Sequence, residues 1–366
     1  MHDVLIVGAG LSGLRLAQLL QEQGFNYVLL DARPRIGGRI VSQSMLEGSE
    51  PDHGDHRYDL GPSWVWPNQP RINTLTKQFG IKLYPQYDQG TLVYQDQFGS
   101  IDTSINAAPM AGSFRPQGGQ QSFIEHLYGE LEAERVWLNH TVQSLTLEDA
   151  GVRAECITSS GTDAIHARQV VLAVPPRLVA SSISFFPKLM PEQSQAMHNI
   201  PTWMAGQSKV TAVYSRPFWR DHGLSGVGVS RIGPLSEIHD ASPEDGSQGA
   251  LFGFVGWSAQ QRKTLGKDLI PQAISQLQQM FGPQAAQPLQ VSLQDWAIDP
   301  LTATAADCHQ HGHPQYGLPP QLKGVWHGRI MFSSAEMAEV FGGLVEGALE
   351  AAEAAFNGLM KYDLDQ

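Results

Sequence analysis

Two cysteines in 366 residues, Cys156 and Cys308, are too few for a disulfide framework, so a reducing compartment is expected. No run of about 18 apolar residues occurs, which excludes an ordinary transmembrane helix. No block of lysine and arginine occurs either. With a net charge of −12, the chain lacks the basic footprint of a nucleic-acid binder or of a protein drawn to anionic membranes. An acidic surface instead mildly attracts cationic small molecules. A strand pattern begins at Met1-His2-Asp3-Val4 without a leader ahead of it, and residues 361–366 are polar. A cytoplasmic protein is therefore expected. Internal repeats and low-complexity tracts are missing, and oligomeric state has no signature.

What is present is ordinary globular material, 42% hydrophobic and 16% charged, enough for two domains. Val4-Leu5-Ile6-Val7 reads as a buried parallel strand. Residues 14–23 have helical periodicity and stop at Gly24; residues 27–30 read as a second strand. Together they predict a βαβ start. A polar loop rich in Gly, Ser and Asp fills 41–59. A helix over 69–79 stops at Gly80. In 81–118, Tyr84, Tyr87, Tyr94 and Phe98 alternate as in strands. A helix is expected over 120–134 and strands over 136–174, with Gly161 at a turn. Further on, strands are expected at 208–214, 250–257 and 325–333, and helices at 269–281 and 343–359.

Gly8-Ala9-Gly10-Leu11-Ser12-Gly13 follows the first strand and opens the first helix. Gly8 allows the tight turn, Gly10 a close approach of diphosphate, and Gly13 tight helix–strand packing. The helix start offers N–H groups and a positive dipole end. Asp31 lies 18 residues after Gly13, at the end of the second strand, where a carboxylate can accept from a ribose hydroxyl. A dinucleotide site follows, FAD or NAD.

Arg35-Ile36-Gly37-Gly38-Arg39 comes next and resembles the Arg-x-Gly-Gly-Arg motif of one large FAD superfamily. Paired glycines let the backbone lie against diphosphate, and Arg39 would add a charge-assisted contact. From there the chain resembles the flavin-dependent amine oxidases of the monoamine and polyamine oxidase type, as a short, soluble, bacterial-like member. Tyr58-Asp59-Leu60-Gly61-Pro62-Ser63-Trp64 resembles the segment that passes the flavin ring. Gln117-Gly118-Gly119 resembles the lead into the returning cofactor strands. Val142 falls on a main-chain contact to adenine. Lys209, in a strand that ends in Pro217-Phe218-Trp219, falls on the lysine that reaches a water at flavin N5. Ile330 to Gly347 resembles the last strand and the flavin-facing helix, with Glu336 on the ribityl chain and Gly343 and Leu344 at the helix start.

The resemblance thus implies non-covalent FAD bound by Gly8, Gly10, Leu11, Ser12, Gly13 and Asp31, then by Ala32, Arg33, Gly38 and Arg39. Gly61, Pro62, Ser63, Trp64, Val142, Glu336, Gly343 and Leu344 complete the cofactor set. Lys209 is the expected catalytic residue, assisting electron transfer to O2. Trp64, Trp203, Phe252, Ala306 and Leu344 are expected to line the substrate pocket, with Trp66, Phe254, Trp257 and Tyr316 as further aromatic candidates.

Three positions depart from the family pattern. Ser333-Ser334-Ala335-Glu336 stands where Ala-Gly-Thr/Ser-Glu is usual. Ala306 and Leu344 stand where an aromatic pair orients the amine. Ala305 stands where covalent members have cysteine. The motif Cys308-His309-Gln310-His311-Gly312-His313 is rich in soft ligands but lacks zinc-site spacing, so no metal is expected. Arg115, Arg216 and Arg231 would suit a substrate carboxylate but are expected at the surface.

The implied fold is α/β: a Rossmann-like FAD domain with a parallel sheet (1–79, 119–185 and 291–366) and a smaller α+β substrate domain (80–118 and 186–290). The implied activity is oxidation of a small-molecule amine to an imine, with O2 reduced to peroxide. A flavin desaturase or dehydrogenase acting on a larger apolar substrate, and an FAD-binding protein without turnover, fit the same residues.

Overall fold

The computed structural model describes residues 1–45, 56–309 and 312–364. The N-terminal pattern folds as expected. His2–Val7 pairs in parallel with Tyr27–Leu30 on one side and with residues 167–172 on the other. Period-two alternation sends Val4 and Ile6 to one face of this sheet and Leu5 and Val7 to the other. The first face is covered by the helices Leu11–Glu22, Pro70–Phe79, Gln121–Gly129 and Val345–Leu364.

Gly161–Leu172 is shared between two environments. Its first half pairs antiparallel with Gly151–Thr158 and is exposed over 161–164, with alternation of buried and exposed residues over 165–168. Its last four residues, 169–172, are buried throughout, because the strand there runs parallel between His2–Val7 and Ile330–Phe332 under cover on both faces. Thr141–Glu148 and Ser184–Phe186 complete this eight-stranded sheet on one edge and Val136–Trp137 on the other.

The second sheet has seven strands, in the order Gln290–Asp295, Ser208–Tyr214, Gly249–Val255, Leu235–Asp240, Leu224–Ser230, Thr91–Gln95 and Ile101–Ile105. Val210, Ala212 and Tyr214 face the amphipathic helix Leu269–Phe281. The alternate residues Lys209, Thr211 and Val213 face the opposite way, where Val213 packs with Tyr58, Leu60 and Phe252.

Several expectations are corrected. Gln290–Asp295 pairs with Ser208–Tyr214, so 291–295 lie in the second sheet rather than in the dinucleotide-binding unit. The helix expected over 120–134 ends at Gly129, where the chain turns to enter the edge strand. The strand expected over 325–333 shortens to Ile330–Phe332, because Val325–Gly328 forms a helical turn with Trp326 and His327 at positive φ. The hairpin of Leu224–Ser230 with Leu235–Asp240 carries no strong alternation and went unpredicted. Among the described residues, no helix is long and apolar enough to cross a membrane.

Candidate active site

The glycine turn is dictated by close contacts. Gly8 has φ +109°, and a Cβ there would come within 2.7 Å of Val174 and 2.8 Å of the Ala173 carbonyl. A Cβ on Gly13 would sit 1.9 Å from the Gly8 carbonyl oxygen, so only glycine lets the helix close on the strand. Gly10 differs. Its φ is unexceptional, and a Cβ there would meet nothing within 4 Å. The helix Leu11–Glu22 begins at Gly10 with no side-chain cap and no acidic residue in its first turn. Its leading N–H groups are left for an anion at that spot. This empty space above an uncapped helix start fits a dinucleotide diphosphate, and FAD fits the site on these terms.

One cavity of about 490 Å³ runs from this turn to the second sheet. At one end it is walled by Gly8, Gly10, Leu11, Ser12, Asp31, Ala32, Arg33 and Val142. Gly38, Arg39, Gly61, Pro62 and Ser63 line its middle. At the other end lie Trp64, Trp66, Trp203, Lys209, Phe254, Trp296 and Leu344, with Gly343 at the start of the last helix. Nearly all the residues singled out in the sequence are therefore brought together.

Their roles shift in places. Both Asp31 oxygens are engaged locally, accepting from the Ala9 and Arg33 amides at 2.8 Å each. Burial raises its carboxyl above the usual range against these two bonds. The Ser12 hydroxyl is spent on Ser333, donating to its carbonyl. Arg33 pairs with Asp299 at 2.9 Å, and Arg35 is held by the Ile36 and Gly38 carbonyls.

Four expected contacts do not line the cavity. Gly13 is a packing glycine. Glu336 is fully buried and turned to Arg39, which donates to its two oxygens at 2.7 and 3.1 Å, while the Trp203 amide donates at 3.2 Å. A carboxylate this deep needs a cation, and Arg39 of the Arg-x-Gly-Gly-Arg segment supplies it from 297 residues away. Phe252 sits two pairs further along the sheet, opposite Thr211, and packs beneath Lys209 and Trp64. Phe254, opposite Lys209, lines the cavity in its place. Ala306 is exposed. The next residue, Asp307, is buried and accepts from Arg177, the Thr202 amide and Thr304, while Ala306 itself points to solvent. Leu301 and Thr302 take the wall position.

Lys209 is the one cation at the aromatic end among the described lining residues. Its ammonium donates to the Asp59 carbonyl (3.0 Å), the Gly61 carbonyl (2.7 Å) and the Ser63 hydroxyl (3.0 Å). Three donors meet three acceptors, and the Phe252 ring lies 4.1 Å below. Burial pulls the amine down to about 7, opposed by Asp59 and reinforced by the like charge of Arg115. Arg115 is itself buried, not at the surface as expected, and donates to the Ser242 carbonyl. Arg216 and Arg231 are exposed and off the cavity.

The sequence missed Met110, Gln207, Val174 and Trp296 on the wall. Trp296 alone carried a signal, as an aromatic at the end of a strand. Of the soft-ligand motif, residues 310 and 311 and the side chain of His309 lie outside the described residues. His313 packs on Trp203 with ring centroids 4.4 Å apart.

A dinucleotide cradle joined by one cavity to a buried lysine on a second sheet defines a dinucleotide-dependent oxidoreductase. The profile of the family described as "Flavin containing amine oxidoreductase" matches residues 108–355, and that of the "NAD(P)-binding Rossmann-like domain" matches residues 6–79. The chain belongs to the flavin-containing amine oxidoreductases: it is an enzyme, and FAD is its cofactor. It is 23% identical to a probable flavin-containing monoamine oxidase A of Dictyostelium discoideum, covering 96% of each chain. It is 25% identical to a putrescine oxidase of Kocuria rosea, covering 96% of this chain and 95% of the relative. These alignments run over 459 and 473 positions against a chain of 366, so the relatives carry insertions that it lacks. Among solved structures, cyclohexylamine oxidase from Brevibacterium oxydans shares the fold over 100% of both chains, with a TM-score of 0.78 at 18% identity. A putrescine oxidase bound to putrescine does so with a TM-score of 0.75 at 22% identity, over 98% of this chain and 99% of that one.

Proposed function

We propose that the enzyme oxidises the C–N bond of an apolar monoamine to an imine, which water hydrolyses to a carbonyl compound and ammonia or a smaller amine. The glycine turn and the uncapped helix start would hold FAD without a covalent link, and the flavin would supply a two-electron acceptor that O2 reoxidises with release of peroxide. The observation that carries this reading is the single cavity with the dinucleotide cradle at one end and Lys209 at the other.

Each wall has a task. Trp64, Trp203, Phe254 and Trp296 would enclose an apolar body and exclude water. A neutral amine enters such a wall at lower desolvation cost than an ammonium. Asp31 is the one carboxylate among the described lining residues, and it stands at the adenine end. A second ammonium, as in a diamine, would find no counter-charge at the aromatic end and would meet Lys209. Lys209 would hold a positive charge where oxygen gains electrons.

A specific observation favours a second reading. Leu344 lines the cavity while Ala306 does not, so the amine-orienting aromatic pair is missing, as in a desaturase or dehydrogenase with a larger apolar substrate. Stopped-flow mixing of the FAD-loaded enzyme with apolar monoamines, diamines and amino acids, coupled to peroxide detection, tests both. Bleaching by apolar monoamines with peroxide release supports the oxidase. Absence of bleaching by every amine overturns it.

A further inference from the structure

The diphosphate end of the cavity contains a polar atom that the fold leaves unused. Ser334 is only 2% exposed and lines the cavity beside Gly10, Leu11 and Ser12. Its hydroxyl has no hydrogen-bond partner in the protein. Buried hydroxyls are nearly always satisfied, so an orphan on a residue in the wall of a ligand cavity points to a ligand atom.

The surroundings fix where that atom lies. The Ser333 amide donates to the Leu172 carbonyl at 2.9 Å, and the Met337 amide donates to the Ser334 carbonyl at 2.8 Å, so the backbone on either side is held. The neighbouring hydroxyl of Ser12 is committed to Ser333, through its carbonyl and through a 2.9 Å bond to its Oγ. That pairing ties Ser333, and with it Ser334, to the second residue of the uncapped helix Leu11–Glu22. An anion drawn to this helix start meets Ser334 as the adjacent free donor. The family pattern has glycine at this position and a hydroxyl one residue later. Here the hydroxyl stands at Ser334, and Ala335 has none.

We propose that Ser334 Oγ donates a hydrogen bond to a diphosphate oxygen of bound FAD, as a cofactor contact added to those of the glycine turn. A hydroxyl that donates to an anionic oxygen forms a stronger bond than one between neutral groups, and here it lies out of water.

The test uses the FAD-loaded enzyme and its Ser334→Ala and Ser334→Thr variants, with three readouts. These are the temperature at which flavin fluorescence is released, the FAD dissociation constant, and the two ³¹P resonances of the bound diphosphate. The alanine variant is expected to release FAD at a lower temperature, to weaken binding about tenfold, and to move one ³¹P resonance. The threonine variant, which keeps the hydroxyl, is expected to restore that resonance. Unmoved ³¹P resonances in a folded alanine variant overturn the proposal. So does weaker binding without a ³¹P change, because the partner is then another part of the cofactor.

Discussion

At the diphosphate end of the cavity, the turn rests on Gly8 and Gly13, where a side chain would strike main chain. At the aromatic end recognition rests on side chains that could be exchanged one for another. A Cβ on Gly13 would meet the Gly8 carbonyl at 1.9 Å, so the turn tolerates one residue type. Trp64, Trp203 and Leu344 form a wall that many apolar residues could build. A diphosphate is the same in every FAD protein, whereas substrates differ. The difference teaches that a cofactor is easier to read from a sequence than a substrate.

The comparison can be broken most forcefully at Gly13. Gly13→Val is expected to lower the flavin-to-protein ratio about a hundredfold or more, by spectral titration, because backbone must move to admit the side chain. A variant that loads normally would mean that the turn is less constrained than its contacts indicate.

At the other end, Lys209→Met should leave FAD bound and slow reoxidation by O2 about a hundredfold, measured on reduced enzyme in stopped flow. The assistance should depend on pH. With the amine near 7, the cation is present below that pH and lost above it, so reoxidation should slow as pH rises through about 7. Arg115→Met removes a like charge and should move the midpoint up by about one unit. Asp59→Asn removes an opposite charge and should move it down by a similar amount. Shifts in opposite directions are not a consequence of general loosening.

Smaller effects sharpen the contrast. Trp203→Ala should raise KM for aromatic amines about tenfold, with FAD affinity changed little. Ala306→Tyr restores an aromatic residue at the family position, yet Ala306 is exposed and off the cavity. It should change KM by less than about twofold.

The fold was legible where pattern and cover agree. The buried run Val4-Leu5-Ile6-Val7, the strand Ser208–Tyr214 and the helix Leu269–Phe281 fall where periodicity puts them. The hairpin of Leu224–Ser230 and Leu235–Asp240 was illegible, because its glycines and serines give no alternation. Gly8 was legible because a positive φ and the crowding of Val174 and Ala173 require glycine there, and Lys209 lies on the cavity wall. Spacing could not show that the Glu336 carboxylate pairs with Arg39, 297 residues away. Phe252 and Phe254, two residues apart on one strand, look alike until register shows which of them stands opposite Lys209. That Ala306 is exposed beside the buried Asp307 leaves no mark in the sequence.

The Arg39–Glu336 pair and the Ser12–Ser333 bonds join positions some three hundred residues apart. On a ribosome adding about 5–20 residues per second, the glycine turn emerges roughly 15–60 s before its partners. During that interval the nascent chain can offer FAD a helix start but no closed chamber. Cofactor capture therefore belongs to the end of synthesis, and flavin supply should govern how many finished chains mature rather than how fast each one is made.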